Sequence, residues 1–282
     1  MEPKFSVIIP SYNRAATLGR AIESLIQQIF PAYEIIVVDD GSLDQTRSVL
    51  ELFPQVIYFY QENKGVSAAR NQGAEMAKGD WLIFLDSDDE LLPSALLDFS
   101  ISMLHRPKAH IFLGGYYLNK NGTETKFVPE QGKYIGHLSG SFVIRKKVFE
   151  QVGRYDAKLK FAENTELFFR LYRPELEQAE VPFPVLRYYQ NSAGGNSNLV
   201  AMSDSIVYIL EKHPDLDNRV KQLYHQILGV NYLRFRRFSD ARSHLWKAFL
   251  FQPFKLDTLA RWGIAMIPSL AKRLYSPVPQ QK

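Results

Sequence analysis

Short unbroken apolar runs alternate with longer stretches of helical spacing through the first hundred residues. Phe5–Pro10, Glu34–Val38, Val56–Tyr60 and Trp81–Leu85 are rich in Val, Ile, Phe and Tyr and lack polar alternation, the pattern of strands covered on both faces. Between and after them, Ala15–Gln28, Asp44–Leu52, Ser67–Lys78 and Ser94–Leu104 place apolar residues at helical intervals. Ser42, followed three residues later by Gln45, predicts a capping box that opens the second helix. This βαβα order predicts an α/β fold with a doubly wound, mostly parallel sheet, whose ligands bind at the carboxyl ends of the strands. Further on, Ile111–Leu118 and Glu124–Val128 flank Asn121-Gly122, a hairpin-turn pair. Asn121-Gly122-Thr123 is also a glycosylation sequon, but the turn accounts for the same residues.

The final eighty residues change period. Val200–Lys212, Leu216–Phe235, Phe238–Phe251 and Leu256–Leu274 read as helices, and Leu228, Gly229, Tyr232, Phe238, Ala241, Leu245, Ala248 and Pro253 follow the spacing of one tetratricopeptide-like hairpin. One such copy cannot bury its own apolar face, so it must pack on something. The last helix sets Trp262, Ile264, Met266, Ile267 and Leu270 beside Arg261, Lys272 and Arg273, which fits either a membrane interface or ordinary core packing. Gly194–Asn198 reads as a loop over the site and as the domain boundary. The expected organisation is a domain over 1–198, in two halves that meet at about 95, then a basic helical module over 199–282.

Composition narrows the chemistry. With 46% hydrophobic residues the 282-residue chain can pack a large core, and with no cysteine it excludes disulfides, thiolate metal sites and a thiol nucleophile. The net charge of +4 conceals an asymmetry. Residues 219–282 hold twelve Lys or Arg against Asp240 and Asp257, whereas the other 218 residues hold 22 basic and 28 acidic side chains. A basic tail points to an anionic neighbour, a phospholipid surface or a phosphorylated substrate, against the plainer alternative of a solvated helix face. No secretory signal and no membrane span are expected, so the sequence reads as cytoplasmic, with peripheral contact at the inner face of a membrane open to the tail.

The polar residues gather where the predicted strands end. Strand one runs into Pro10-Ser11-Tyr12-Asn13-Arg14, strand two into Asp39-Asp40-Gly41-Ser42, strand three into Asn63-Lys64-Gly65, and strand four into Asp86-Ser87-Asp88-Asp89. Three carboxylates in four residues repel one another unless solvated or neutralised. Two readings fit: a Mg²⁺ or Mn²⁺ site completed by substrate phosphates, or an acidic turn ahead of the helix near Pro93. There is no G-x-x-x-x-G-K-[ST], no G-x-G-x-x-G after strand one and no EF-hand spacing, so those nucleotide and calcium sites are excluded.

Ser6–Arg14, Ile35–Ser42 with Asp44 and Thr46, Asn63–Asn71 and Gly79–Asp89 resemble, in order and spacing, the successive blocks of family 2 glycosyltransferases of the GT-A fold. A weaker continuation in Leu138–Arg145, Gly153–Asp156 and Glu163–Arg170 resembles the acceptor side of that family. The resemblance implies inverting transfer of a sugar from a nucleotide diphosphate donor, with a uridine nucleotide expected. By the same analogy Pro10, Ser11, Tyr12 and Asn13 wall the nucleoside, Asp40 meets the base, Asp86 lies near the ribose, and Asp88 with Asp86 holds Mg²⁺ or Mn²⁺ on the diphosphate. Arg70 assists at the nucleotide, although Ala69-Arg70-Asn71 also reads as ordinary helix surface.

Two positions depart from the family pattern. Where the family usually shows Glu-Asp this chain has Glu163-Asn164, and Asn cannot titrate, so Glu163 is the expected base and Glu166 its reserve. Both also read as acidic residues favoured at a helix N-terminus. Where many relatives place a His late in the domain, this chain reads Tyr188-Tyr189-Gln190. The expected partners are a nucleotide-sugar donor, a glycan or lipid-linked acceptor and an anionic membrane surface through 219–282, with no nucleic acid. The competing expectation is a catalytically silent nucleotide-sugar-binding protein of the same fold.

Overall fold

A computed structural model of the chain describes residues 2–130, 136–190 and 199–277. The chain forms two compact units, Met1–Gly194 and Gly195–Lys282. The expected Gly194–Asn198 loop lies outside the described residues.

The first unit comprises β1 (Phe5–Ser11), α1 (Leu18–Ile26), β2 (Glu34–Asp39), α2 (Thr46–Leu50), β3 (Ile57–Tyr60), α3 (Val66–Met76), β4 (Trp81–Phe84), β5 (Glu90–Leu91), α4 (Ala95–His105), β6 (Ile111–Lys120), β7 (Thr123–Phe127), β8 (Phe142–Arg145), α5 (Lys146–Gln151), α6 (Glu163–Leu171) and β9 (Gln178–Tyr189). Its sheet runs β3-β2-β1-β4-β8-β6-β9-β5, with β7 beside β6. The first four strands of that order are parallel. Beyond β4 the pairing is mixed, with β8 antiparallel to both β4 and β6, and β9 parallel to β6. The parallel half follows from helical crossovers; the hairpin of β6 and β7 needs only a two-residue turn, Asn121 and Gly122 at φ 53° and 84°.

Strand periodicity sorts the core into two layers. Phe5, Val7 and Ile9 of β1 join Ile35 and Val37 of β2, Trp81 and Ile83 of β4, and Leu18, Ile22 and Leu25 of α1. The intervening residues Ile8, Ile36, Val38, Leu82 and Phe84 pack on the opposite face with Ala69 and Ala74 of α3 and Phe149 of α5. Burial on both faces explains the lack of polar alternation in these strands.

Two local expectations are corrected. Ser42 does not cap the second helix: its hydroxyl accepts the Asn13 N–H at 2.9 Å, and α2 begins only at Thr46. The first helix starts at Leu18 rather than Ala15, because Arg14 and Ala15 are tied by their N–H groups to Thr46 and Asp44.

The second unit is helical, with α7 (Leu199–Lys212), α8 (Asn218–Arg234), α9 (Phe238–Phe251), α10 (Leu256–Met266) and α11 (Pro268–Leu274). The single helix expected over Leu256–Leu274 breaks at Ile267 (φ −116°, ψ 89°), since Pro268 disfavours helical geometry in the residue before it. In the α8–α9 pair a Cβ on Gly229 would come within 2.5 Å of Leu245 Cγ, so the close approach of the helices requires the absent side chain. No helix among the described residues is long and apolar enough to cross a membrane.

A Cβ on Gly73 would lie 2.4 Å from Ile8 Cγ2, which fixes how closely α3 sits on β1. Gly73→Val is expected to cost about 1–3 kcal/mol through overpacking, lowering the thermal denaturation midpoint. Gly263→Ala, with open space around the added methyl, should not lower it.

Candidate active site

The strand order turns at β1, which has β2 on one side and β4 on the other, and such a switch point opens a crevice beyond the carboxyl ends of the strands. Ser11 is level with Asp39 across β1 and β2, and Asp39 with Tyr60 across β2 and β3. The rim is thus assembled from residues far apart in sequence.

Two loops interlock on one side. Asn13, at φ 52°, accepts the Leu43 N–H on Oδ1 at 2.8 Å, while its own N–H goes to Ser42. Arg14 N–H reaches Thr46 Oγ1 at 2.9 Å, and Ala15 N–H reaches Asp44 Oδ2 at 3.1 Å. Burial works against the Asp44 charge, but the Thr46 hydroxyl and the N–H groups of Ala15 and Thr46 hold its carboxyl below the usual range. Pro10 and Ser11 are buried in β1, whereas Tyr12 is 46% exposed. Of the four expected nucleoside-wall residues, Tyr12 presents a ring to solvent and Asn13 spends its amide oxygen on the loop.

Asp40 is also buried. Its Oδ1 accepts Gln61 Nε2 at 2.7 Å and Lys64 N–H at 2.8 Å, and its Oδ2 accepts Gly65 N–H at 2.8 Å. The carboxylate therefore shapes the turn that launches α3.

Arg70 stands at the centre. It is 1% exposed and not helix surface, which corrects that reading of Ala69-Arg70-Asn71. Nη2 donates to Asp86 Oδ1 at 2.6 Å and to Ser139 Oγ at 2.9 Å, while Nη1 donates to Glu163 Oε1 at 2.8 Å. Burial alone disfavours the cation, but Asp86 and then Glu163 more than offset it and hold the guanidinium above its ordinary pKa. The next residue, Asn71, exchanges two hydrogen bonds with the Tyr155 backbone. Tyr155 OH then donates to Asn164 Oδ1 at 2.7 Å, and Asn164 Nδ2 donates to Ser139 Oγ at 3.2 Å. The amide at 164 supplies both an acceptor and a donor, so this position is structural in its contacts.

The acidic run divides its labour. The Asp86 and Asp88 side chains are 36% and 23% exposed, and Asp88 has Arg14 at 3.9 Å. Burial first, then Asp86, raises the Asp88 carboxyl pKa, with Arg14 opposing. Asp89 is 1% exposed, accepts the Tyr189 N–H at 2.9 Å, and is pushed well above the carboxylate range by burial and Asp86. Arg20 of α1 braces the run by donating to the Asp88 carbonyl at 2.6 Å, pairing with Glu90 at 2.8 Å and lying 3.9 Å from the Tyr189 ring centroid. Tyr189 is thus tied to the acidic turn, through its N–H to Asp89 and its hydroxyl to Glu90. Among the described residues no three carboxylate or imidazole groups converge to cage a metal.

The two acidic residues of α6 separate cleanly. Glu163, 17% exposed in its side chain, has no hydrogen bond to Oε2 among the described residues. Glu166 is fully buried and held by Arg170, with Nη2 to Oε2 at 2.7 Å, so it is placed as an internal strut. Arg70, Asp86 and Glu163 are brought together; Glu166 is not among them. Sequence reading missed Ser139, Tyr155 and Arg20, most of whose partners lie tens of residues away and leave no local spacing to find.

Residues 6–164 match the model of glycosyl transferase family 2, and the chain belongs to that family. It is a glycosyltransferase with the GT-A fold. The chain is 30% identical over 210 residues to a GalNAc(5)-diNAcBac-PP-undecaprenol beta-1,3-glucosyltransferase of Campylobacter jejuni, covering 68% of this chain and 67% of that protein. It is 26% identical over 226 residues to an uncharacterized glycosyltransferase of Haemophilus influenzae, covering 74% and 76%. The crystal structure of S. aureus TarS 1–349 superposes with a TM-score of 0.62 at 19% identity, covering 95% of this chain and 88% of that one. The same protein in complex with UDP-GlcNAc superposes at 0.61 and 22% identity, covering 93% and 79%.

With its pKa raised in the fold, Asp89 keeps a proton that the unfolded chain has lost, so stability falls as pH rises above about 4 toward the folded-state value. Asp89→Asn retains an acceptor for the Tyr189 N–H and removes the charge. The variant is expected to show a higher thermal midpoint at neutral pH and a flatter decline across that interval.

Proposed function

We propose that this glycosyltransferase transfers a sugar from a uridine diphosphate donor to an acceptor hydroxyl with inversion, and that Glu163 is the base. The observation that carries this reading is the buried guanidinium of Arg70, which joins Asp86, just beyond β4, to Glu163 at the start of α6. The uridine preference draws support from TarS, whose structures hold UDP and UDP-GlcNAc. An acceptor carried on a lipid diphosphate draws support from the Campylobacter relative, whose name specifies an undecaprenol-linked glycan.

In the proposed step the acceptor oxygen bonds to the anomeric carbon as the bond to the β-phosphate oxygen breaks, and the acceptor proton passes to Glu163 Oε2. Arg70 holds Oε1 of the same carboxylate and so fixes its orientation. Asp88 and the exposed part of Asp86 are hard oxygen ligands in the number a Mg²⁺ or Mn²⁺ ion takes from protein when substrate phosphates complete its shell. Such an ion would neutralise charge on the departing diphosphate. Asp40 serves by shaping the turn at Lys64 and Gly65, and Tyr12 offers a ring to the nucleoside.

The test is release of UDP from a panel of UDP-sugars, with and without Mn²⁺ or Mg²⁺. Glu163→Gln should lower kcat by about 10²–10⁴-fold with little change in KM, and Asp88→Ala should abolish the response to metal. Full turnover in Glu163→Gln would remove that residue as the base.

The tail reading is that the second unit docks on anionic lipid. Exposed Leu250, Phe254, Leu256, Ile267, Leu270 and Leu274 lie among Lys247, Lys255, Lys272 and Arg273, and Phe254 is 97% exposed. Co-sedimentation should favour vesicles with phosphatidylglycerol over neutral ones and weaken in salt. Equal recovery in both supernatants would sink it.

A further inference from the structure

Within the helical unit, α7, α8 and α9 enclose a groove of about 520 Å³ whose polar lining the helix packing does not require. The helices are held together by Leu228, Gly229, Ala241, Leu245 and Ala248, all buried. The groove instead collects His225, His244, Lys221, Lys247 and Arg237.

Three features give it a chemical character. His225 Nδ1 lies 2.9 Å from His244 Nδ1, an imidazole pair that can share one proton. The His225 ring stacks on Phe251 with planes 3° apart and centroids 5.7 Å apart, and Lys221 Nζ lies 5.7 Å from the Phe251 ring centroid. The charges lining the groove beside the pair are Glu211 from α7, Lys221 from α8, Arg237 just before α9, and Asp240 and Lys247 from α9. Arg237 and Asp240 satisfy each other at 2.7 Å, and among the described residues neither Lys221 nor Lys247 has a carboxylate within ion-pair distance. Burial first, then His244 and Lys247, holds the His225 pKa down to about 4.

We propose that this groove is a second ligand site, separate from the sugar-transfer crevice, that takes the phosphate group of an organic phosphate. Two lysines and the imidazole pair converge from two helices, and a phosphate offers three strong acceptor oxygens where a carboxylate offers two. Val207, Leu210 and Phe251 give the organic part an apolar wall. The site goes beyond the proposed transfer reaction and does not depend on it.

The test follows the imidazole C2–H proton resonances of the full chain, six in all, with His225→Gln and His244→Gln used to assign two of them. The chain is titrated with glycerol phosphate, with glycerol, with acetate, and with phosphatidylglycerol or phosphatidylcholine vesicles, all in EDTA. Saturable movement of the His225 and His244 resonances with glycerol phosphate is expected. It should weaken at least about tenfold in Lys221→Ala/Lys247→Ala and persist in Asp88→Ala, which keeps the transfer crevice out of the readout. Movement with phosphatidylglycerol vesicles alone would support the same chemistry with a lipid as its source. No movement with either phosphate, equal movement with acetate or glycerol, or undiminished movement in the double variant would overturn the proposal.

Discussion

One buried guanidinium organises the catalytic unit. Arg70 reaches from α3 to Asp86 beyond β4, to Ser139 before β8 and to Glu163 at the start of α6. Those contacts join the parallel half of the sheet to the mixed half. A charge with 1% exposure is tolerable only because two carboxylates and a hydroxyl meet it, and losing one partner of such a pair costs on the order of 3–5 kcal/mol. The same requirement that makes Arg70 expensive to leave alone makes the position of Asp86 and Glu163 reproducible.

The rim around this node is built by carboxylates serving as scaffold. Asp40 ties the turn before α3, Asp44 ties the loops after β1 and β2, and Asp89 anchors the end of β9. Each takes backbone N–H groups that the loops would otherwise leave without partners. The proposed transfer draws on a short set that this scaffolding leaves: Tyr12, the exposed parts of Asp86 and Asp88, and the second oxygen of Glu163. Asn164 fits this division, because its amide completes a chain from Tyr155 to Ser139 and thereby supports Arg70. An ionised carboxylate at 164 could accept there but could not donate to Ser139.

The helical unit divides its residues in a comparable way. Small and apolar positions on α8 and α9 bring the helices together, while cations and histidines face the groove or the solvent. The surplus of basic residues over 219–282 is therefore more than a solvated face, since part of it lines a concavity beside stacked rings.

The sequence by itself determined the four parallel strands of the first hundred residues and the helices between them to within a few residues, the hairpin at Asn121-Gly122 and the clustering of polar residues at strand ends; β5 exists only through its pairing with β9. Each is written in local periodicity or turn chemistry, which needs no distant partner to read. Family membership was legible for the same reason, in ordered blocks along residues 5–95. Tertiary structure alone decided that Arg70 is buried, that Ser42 serves Asn13 instead of a helix end, that Glu166 is a strut and that Glu163 pairs with Arg70. Contacts such as Arg70 to Glu163, 93 residues apart, depend on how layers stack, and no spacing along the chain encodes them. Burial and ion pairing are properties of the packed sheet and its helices, so the roles of these titratable residues became readable only once the chain had folded.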